Sequence, residues 1–178
     1  MTLLVDECCA GDKCLLTTTS DVTIANTTTE TSFRNGFLGL GYLPAWRILP
    51  GTAVCWRMFG RVSCGSAQSS TFRFKLGGVI VAESTATLPN NLSNAGWDAY
   101  FEAVIRSVGP TGTVFGAGRT IINLTVPIGD TAIRRISSST NIQVSTLSDL
   151  TVDATYQWGT ASAGNSITSN ILVIQTST

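Results

Sequence analysis

The chain contains no histidine. That one absence removes the commonest general base, the commonest metal ligand and the usual physiological pH switch. Lysine is nearly absent too, with only Lys13 and Lys75. Charged residues of every kind make up 12% of the 178 residues, well below the usual quarter, and 11 basic residues balance 11 acidic ones. No basic field exists to hold nucleic acid, so no nucleic-acid partner is expected. No apolar run approaches the length of about 18 residues that a membrane helix needs, so no membrane partner is expected. The start, "MTLLVDECCAGDKC", lacks a basic n-region and a long apolar h-region. It reads as retained, with synthesis in a cytoplasm without secretion. A neutral surface rich in Thr and Ser repels copies of itself little, so close packing in an assembly costs little electrostatically.

What is present is apolar and patterned. Hydrophobic residues account for 43%, and the length suits one domain with a substantial core. The strongest pattern is "GWDAYFEAVIRSVGPTGTVFGAG". Trp97, Ala99, Phe101, Ala103 and Ile105 fall on one face. Asp98, Tyr100, Glu102, Val104 and Arg106 fall on the other. That is strict period two, the signature of a half-buried strand. "GPTG" turns the chain, and "TVFGAGRTIINLTV" returns, with Gly116, Ala117 and Gly118 small enough to let a neighbour approach. "STFRFKLGGVIVAEST" reads as a hairpin. Phe72, Phe74 and Leu76 point inward, and Gly77-Gly78 supplies a two-residue turn. "TAVCWRMFGRVSCG" puts Val54, Trp56, Met58 and Val62 on one face, with Gly60 marking a bulge. "SDLTVDATYQWGTA" points Leu150, Val152, Ala154, Tyr156 and Trp158 inward. "ITSNILVIQT" closes the sheet. "GFLGLGYLPAWRILPG", "TLPNNLSNAG" and "PIGDTAIRRISSSTNI" read as connections, the first and last each with a short extended segment. About eight strands with turns every ten residues or so predict an all-β fold. The expected form is a single antiparallel jelly-roll sandwich over residues 21–178, preceded by an extended docking arm over residues 1–20.

The five cysteines fall into two groups. Cys8, Cys9 and Cys14 cluster in the arm, and three thiols with no fourth ligand nearby do not close a zinc site. Cys55 and Cys64 lie in one strand region. On one straight strand they stand roughly 30 Å apart and cannot pair, whereas a hairpin at Gly60 would let them. Free thiols and disulfides, within or between chains, both remain open at this stage.

Catalysis finds little to work with. Asp98 and Glu102 share a strand face but lie roughly 13 Å apart, too far for a retaining glycosidase pair. Cys8 and Cys14 have no histidine to activate them. "GLGYLPAWRILPG" lacks the third glycine of a dinucleotide fingerprint, and "GAGRT" lacks a Walker lysine. The expectation is a non-enzyme with no catalytic residue, no cofactor and no metal. Two kinds of binding surface remain. Tyr100, Val104, Val108 and Phe115 are apolar residues on outward positions and suggest a subunit interface. Tyr42, Trp46, Asn90 and Asn91 sit in loops and could stack on and hydrogen-bond a host surface glycan.

Three segments carry a family resemblance in their order: "FRFKLGGVIVAEST", "WDAYFEAVIRSVGPTGTVFGAG" and "VDATYQWGTASAGNSIT". The hairpin Lys75 to Gly78, the strand Trp97 to Arg106 and the closing stretch Trp158 to Ile167 resemble tailed-phage and related viral structural proteins with a TNF/C1q-like jelly roll. The resemblance spans residues 20–176. It implies a homotrimeric virion protein, a capsid decoration protein or short fibre component that binds other virion proteins and itself. It implies no catalytic residues. A receptor- or glycan-binding fibre head is the alternative.

Overall fold

The computed structural model describes residues 13–34, 37–124, 131–138 and 140–177. Among these, fourteen strands are formed: β1 (Lys13–Thr18), β2 (Val22–Ala25), β3 (Thr31–Ser32), β4 (Phe37–Leu38), β5 (Tyr42–Leu43), β6 (Ala53–Cys64), β7 (Gln68–Leu76), β8 (Val79–Leu88), β9 (Leu92–Ser107), β10 (Thr113–Asn123), β11 (Thr131–Ser137), β12 (Ile142–Gln143), β13 (Leu150–Trp158) and β14 (Ser166–Ser177). A single 3-10 turn spans Ala45–Arg47. The larger sheet runs β11-β10-β9-β6-β14-β1-β4, with β2 beside β14 and β12 beside β10. The smaller runs β3-β13-β7-β8, with β5 beside β13. The core order β1-β14-β6-β9 facing β3-β13-β7-β8 wraps as a jelly roll, and β10 and β11 extend the larger sheet past β9.

The predicted inward faces pack together between the sheets. On β9 the buried residues alternate small and large: Ala95, Trp97, Ala99, Phe101, Ala103 and Ile105. The gaps over the alanines admit rings from elsewhere. Phe101 stacks on Phe74 of the other sheet, with centroids 5.0 Å apart, and lies 5.6 Å from Trp56. Phe33, Phe72, Trp97, Tyr156 and Trp158 make a second aromatic group. The polar edges of two buried indoles are satisfied by backbone. Trp56 Nε1 donates to the Asp153 carbonyl and Trp158 Nε1 to that of Ile24. Gly116 and Gly118 face Phe101 across the β9–β10 pair. A Cβ on Gly116 would come 2.4 Å from the Phe101 ring, so bulk on β9 dictates its absence on β10.

The hairpin at Gly77-Gly78 forms as predicted, with φ of 60° and 80°. At Gly60 the extra residue lies on the partner strand: the β6–β14 register slips between Ser169 and Ile171, opposite Gly60. Gly60 is required because a Cβ there would overlap the Thr168 carbonyl oxygen. Three further expectations change. "TLPNNLSNAG" is turn only around Pro89–Asn91, since β9 starts at Leu92. "GFLGLGYLPAWRILPG" holds two two-residue strands and the 3-10 turn. The segment 131–137 is a full strand, where a short one was expected. Within the expected arm, residues 13–18 form β1 and pair with β14. Cys8 and Cys9 lie outside the described residues.

One flank of the sandwich closes without a ladder. The edge strand β8 meets β10 and β11 through side chains. The Ser84 and Thr120 hydroxyls are hydrogen-bonded at 2.7 Å in a buried site, and Ser138 Oγ donates to the Val81 carbonyl at 3.4 Å.

Candidate functional site

The two outer faces of the sandwich treat charge differently. On the smaller sheet, ionic groups are tied to one another. Arg73 bonds Glu83 at 2.6 Å and Gln157 at 2.7 Å, and also reaches Glu30 at 3.4 Å. Lys75 pairs with Glu30 as well. Burial alone would raise the Glu30 pKa, but Lys75, Thr155 and Arg73 together outweigh it and hold the carboxyl below its usual range. Asp153 goes the other way. Burial pushes it up, although the Ser32 hydroxyl and the Ala154 N–H donate to it.

On the larger sheet, β9 and β10 present an apolar depression of about 340 Å³. Tyr100, Val104 and Phe115 line it, so three of the four expected interface residues come together. Its charges are held by immediate neighbours: the Tyr100 hydroxyl donates to Glu102, and the Arg106 guanidinium lies 5.7 Å from the Phe115 ring centre. Val108, the fourth residue, is exposed just beyond β9, past the end of the depression.

Val108 belongs instead to one end of the sandwich, where large apolar side chains gather in the open. Trp46 is 78% exposed and Leu147 68%, and Leu49, Val79, Ile80 and Val108 are also exposed. They sit on four segments that hydrogen bonds lock together. The Ala45 N–H donates to Asp149, Gly51 to the Ile105 carbonyl, Gly77 to Thr151, Thr146 to Gly109 and Val144 to Gly112. The opposite end is polar. There the Asn90 side chain accepts from the Ala67 N–H, and Asn91 donates to Gly65. Tyr42 pairs with Thr151 at the apolar end. The four residues read from sequence as a glycan site are therefore divided between the two ends. The nine-residue β7 separates those ends by roughly 26 Å. Leu49 and Leu147 escaped sequence reading because an isolated leucine in a polar loop belongs to no period.

Among the described residues Cys14 is exposed, and Cys55 and Cys64 are buried on one strand, β6, nine residues apart and so too far apart to pair with each other. Cys14 Sγ lies 3.1 Å from the Thr17 hydroxyl. Burial pushes the Cys64 thiol up, and its Sγ donates to the Pro89 carbonyl. Asp98 and Glu102 line two different depressions of the same face. Among the described residues, no three His, Cys, Asp or Glu side chains gather in a way that could hold a metal ion.

No protein family matches the chain, and no curated protein matches it. A solved structure similar to it is the CBM2 module of the evolved Dit of Lactobacillus casei BL23 phage J-1. The two are 14% identical, over 93% of this chain and 96% of that one, with a TM-score of 0.39. What this chain does has to be read from its own surface.

Proposed function

We propose that this protein is a non-enzymatic structural component of a virus particle that works by association. Copies join through the outer face of β9 and β10, in the number three that the sequence resemblance implies. The apolar end of each sandwich docks on another virion protein, and of the arm expected over residues 1–20 only the part before β1 remains for docking, since β1 belongs to the larger sheet. The observation that carries the reading is the cluster of exposed apolar side chains on mutually bonded loops, together with the apolar depression on the β9–β10 face. Monomers rarely leave such surface open, and rigid loops lose little entropy when they dock. The net charge of zero removes long-range repulsion between copies. The separation of Asp98 from Glu102 into different depressions favours a non-catalytic role.

The glycan-binding alternative built on Tyr42, Trp46, Asn90 and Asn91 is not adopted, because those residues do not converge. The test is the solution mass of the full chain and of Val104→Arg. The reading expects an oligomer that the arginine dissociates without unfolding the subunit. An oligomer untouched by Val104→Arg would move the interface elsewhere.

A further inference from the structure

A second depression, of about 360 Å³, lies on the same outer face nearer the polar end. It is built from four strands. β6 contributes Phe59, Gly60 and Arg61, and β9 contributes Gly96, Trp97 and Asp98. β10 contributes Asn123 and β14 contributes Asn170. The backbone explains the hollow. Gly96 occupies an outward position without a side chain, and a Cβ there would come 3.2 Å from the Asn123 amide. Asn170 is the extra residue of the β14 bulge, opposite Gly60. Gly96 therefore leaves open a space that an ordinary outward side chain would fill, and the tight approach of β14 at Gly60 brings the Asn170 bulge to its rim.

The walls are chemically unlike the rest of the surface. Phe59 presents a ring that is 48% exposed. Beside it stand a carboxylate, a guanidinium and two amides. On the smaller sheet every ionic group has a partner. Here the half-buried Asp98 carboxylate accepts no hydrogen bond among the described residues, and Arg119 is the cation that acts on it. Arg61 and the Asn123 amide likewise make no hydrogen bond among those residues, while Asn170 donates to Asp21. The indole of Trp97 packs on the core side of the sheet, and its Nε1 is buried with no partner. A half-buried carboxylate held without hydrogen bonds costs stability. Its retention next to unengaged donors is the signature of a site that a ligand completes.

We infer that this depression binds a neutral saccharide, one pyranose ring lying on Phe59 with its hydroxyls shared between Asp98, Arg61, Asn123 and Asn170. A pyranose has an apolar C–H face and an equatorial rim of paired hydroxyls. An open aromatic ring matches the first. Carboxylate, amide and guanidinium groups match the second, because each presents two adjacent hydrogen-bonding positions: two acceptors, an acceptor beside a donor, and two donors. The volume falls at the lower end of small-ligand pockets, which suits one or two sugar units. A simple anion is disfavoured by Asp98 and a fatty chain by the polar walls. The site is separate from the apolar end but shares the outer face of β9 and β10 with the Tyr100–Phe115 depression, so it requires that the contact between copies leave the polar end of that face open.

The test is an NMR titration of the ¹⁵N-labelled full chain with methyl glucoside, galactoside, mannoside and rhamnoside and with methyl N-acetylglucosaminide, each to tens of millimolar. The expected result is that at least one probe shifts the amides of Phe59–Arg61, Gly96–Asp98, Asn123 and Asn170. Phe59→Ala and Asp98→Asn should each weaken that binding about tenfold or more, about 1.4 kcal/mol. Both should keep the wild-type amide dispersion, since neither side chain supports the core. Trp46→Ala should bind as wild type. Shifts from none of the five probes, shifts centred on the apolar end, or binding indifferent to Phe59→Ala and Asp98→Asn would each overturn the assignment.

Discussion

Phe101 shows how single residues hold this wall together. Its ring stacks on Phe74 from the opposite sheet and fills the space left by Gly116 and Gly118. Phe101→Ala therefore removes a cross-sheet contact and leaves a void next to two glycines that cannot fill it. Chemical denaturation should show a loss of about 3–5 kcal/mol. An unchanged midpoint would mean that Phe101 is not central to the core. Titration gives a second prediction at this scale. Asp98 and Asp153 have raised pKa values in the fold, so they hold protons more tightly folded than unfolded. They reduce stability at neutral pH, and that cost is relieved as pH falls toward the ordinary Asp range near 4. Glu30 is lowered, so its contribution is present at neutral pH and is lost as pH falls below the ordinary Glu range. The thermal midpoint should rise on mild acidification and then drop. With no histidine in the chain, side chains other than carboxylates contribute little there. Asp98→Asn and Asp153→Asn together should flatten the rise, as calorimetry across that pH range would show.

At the scale of elements, the long strands were legible and the short ones were not. β7, β9 and β13 alternate large inward residues with polar outward ones, and a one-residue slip would expose the whole face, so pattern and register agree. A two-residue strand such as β4 or β5 contains no period to read. The start of β9 was read as loop because of its Asn-rich turn chemistry. Tertiary pairing overrides it: Asn94 keeps a positive φ of 50°, and its N–H is taken by the Ser63 hydroxyl on β6. Tyr100, Val104 and Phe115 could be read together because they sit on one alternating strand pair. The apolar end was not, because residues far apart in sequence assemble it, as in the bond from Ala45 to Asp149. The polar depression escaped notice for the same reason, since Gly60 and Gly96 meet only through strand pairing. The element-level prediction concerns β9. Val104 pairs with Phe115 on one side and Ala53 on the other, on the outer face. Val104→Arg should leave far-UV circular dichroism unchanged while shifting the sedimentation profile to monomer. Retention of the wild-type profile would exclude this face as the contact.

For the whole molecule, the central claim is association. The sandwich gathers its charges into pairs on one outer face, keeps one end polar, and leaves the other end and the Tyr100–Phe115 depression of the β9–β10 face apolar. Such a division suits a subunit with fixed sides toward its neighbours and toward solvent. Multi-angle light scattering of the purified full chain in reducing buffer tests this most directly. The account predicts a single species near three times 18.8 kDa. A species at 18.8 kDa that stays monomeric as concentration rises would contradict it.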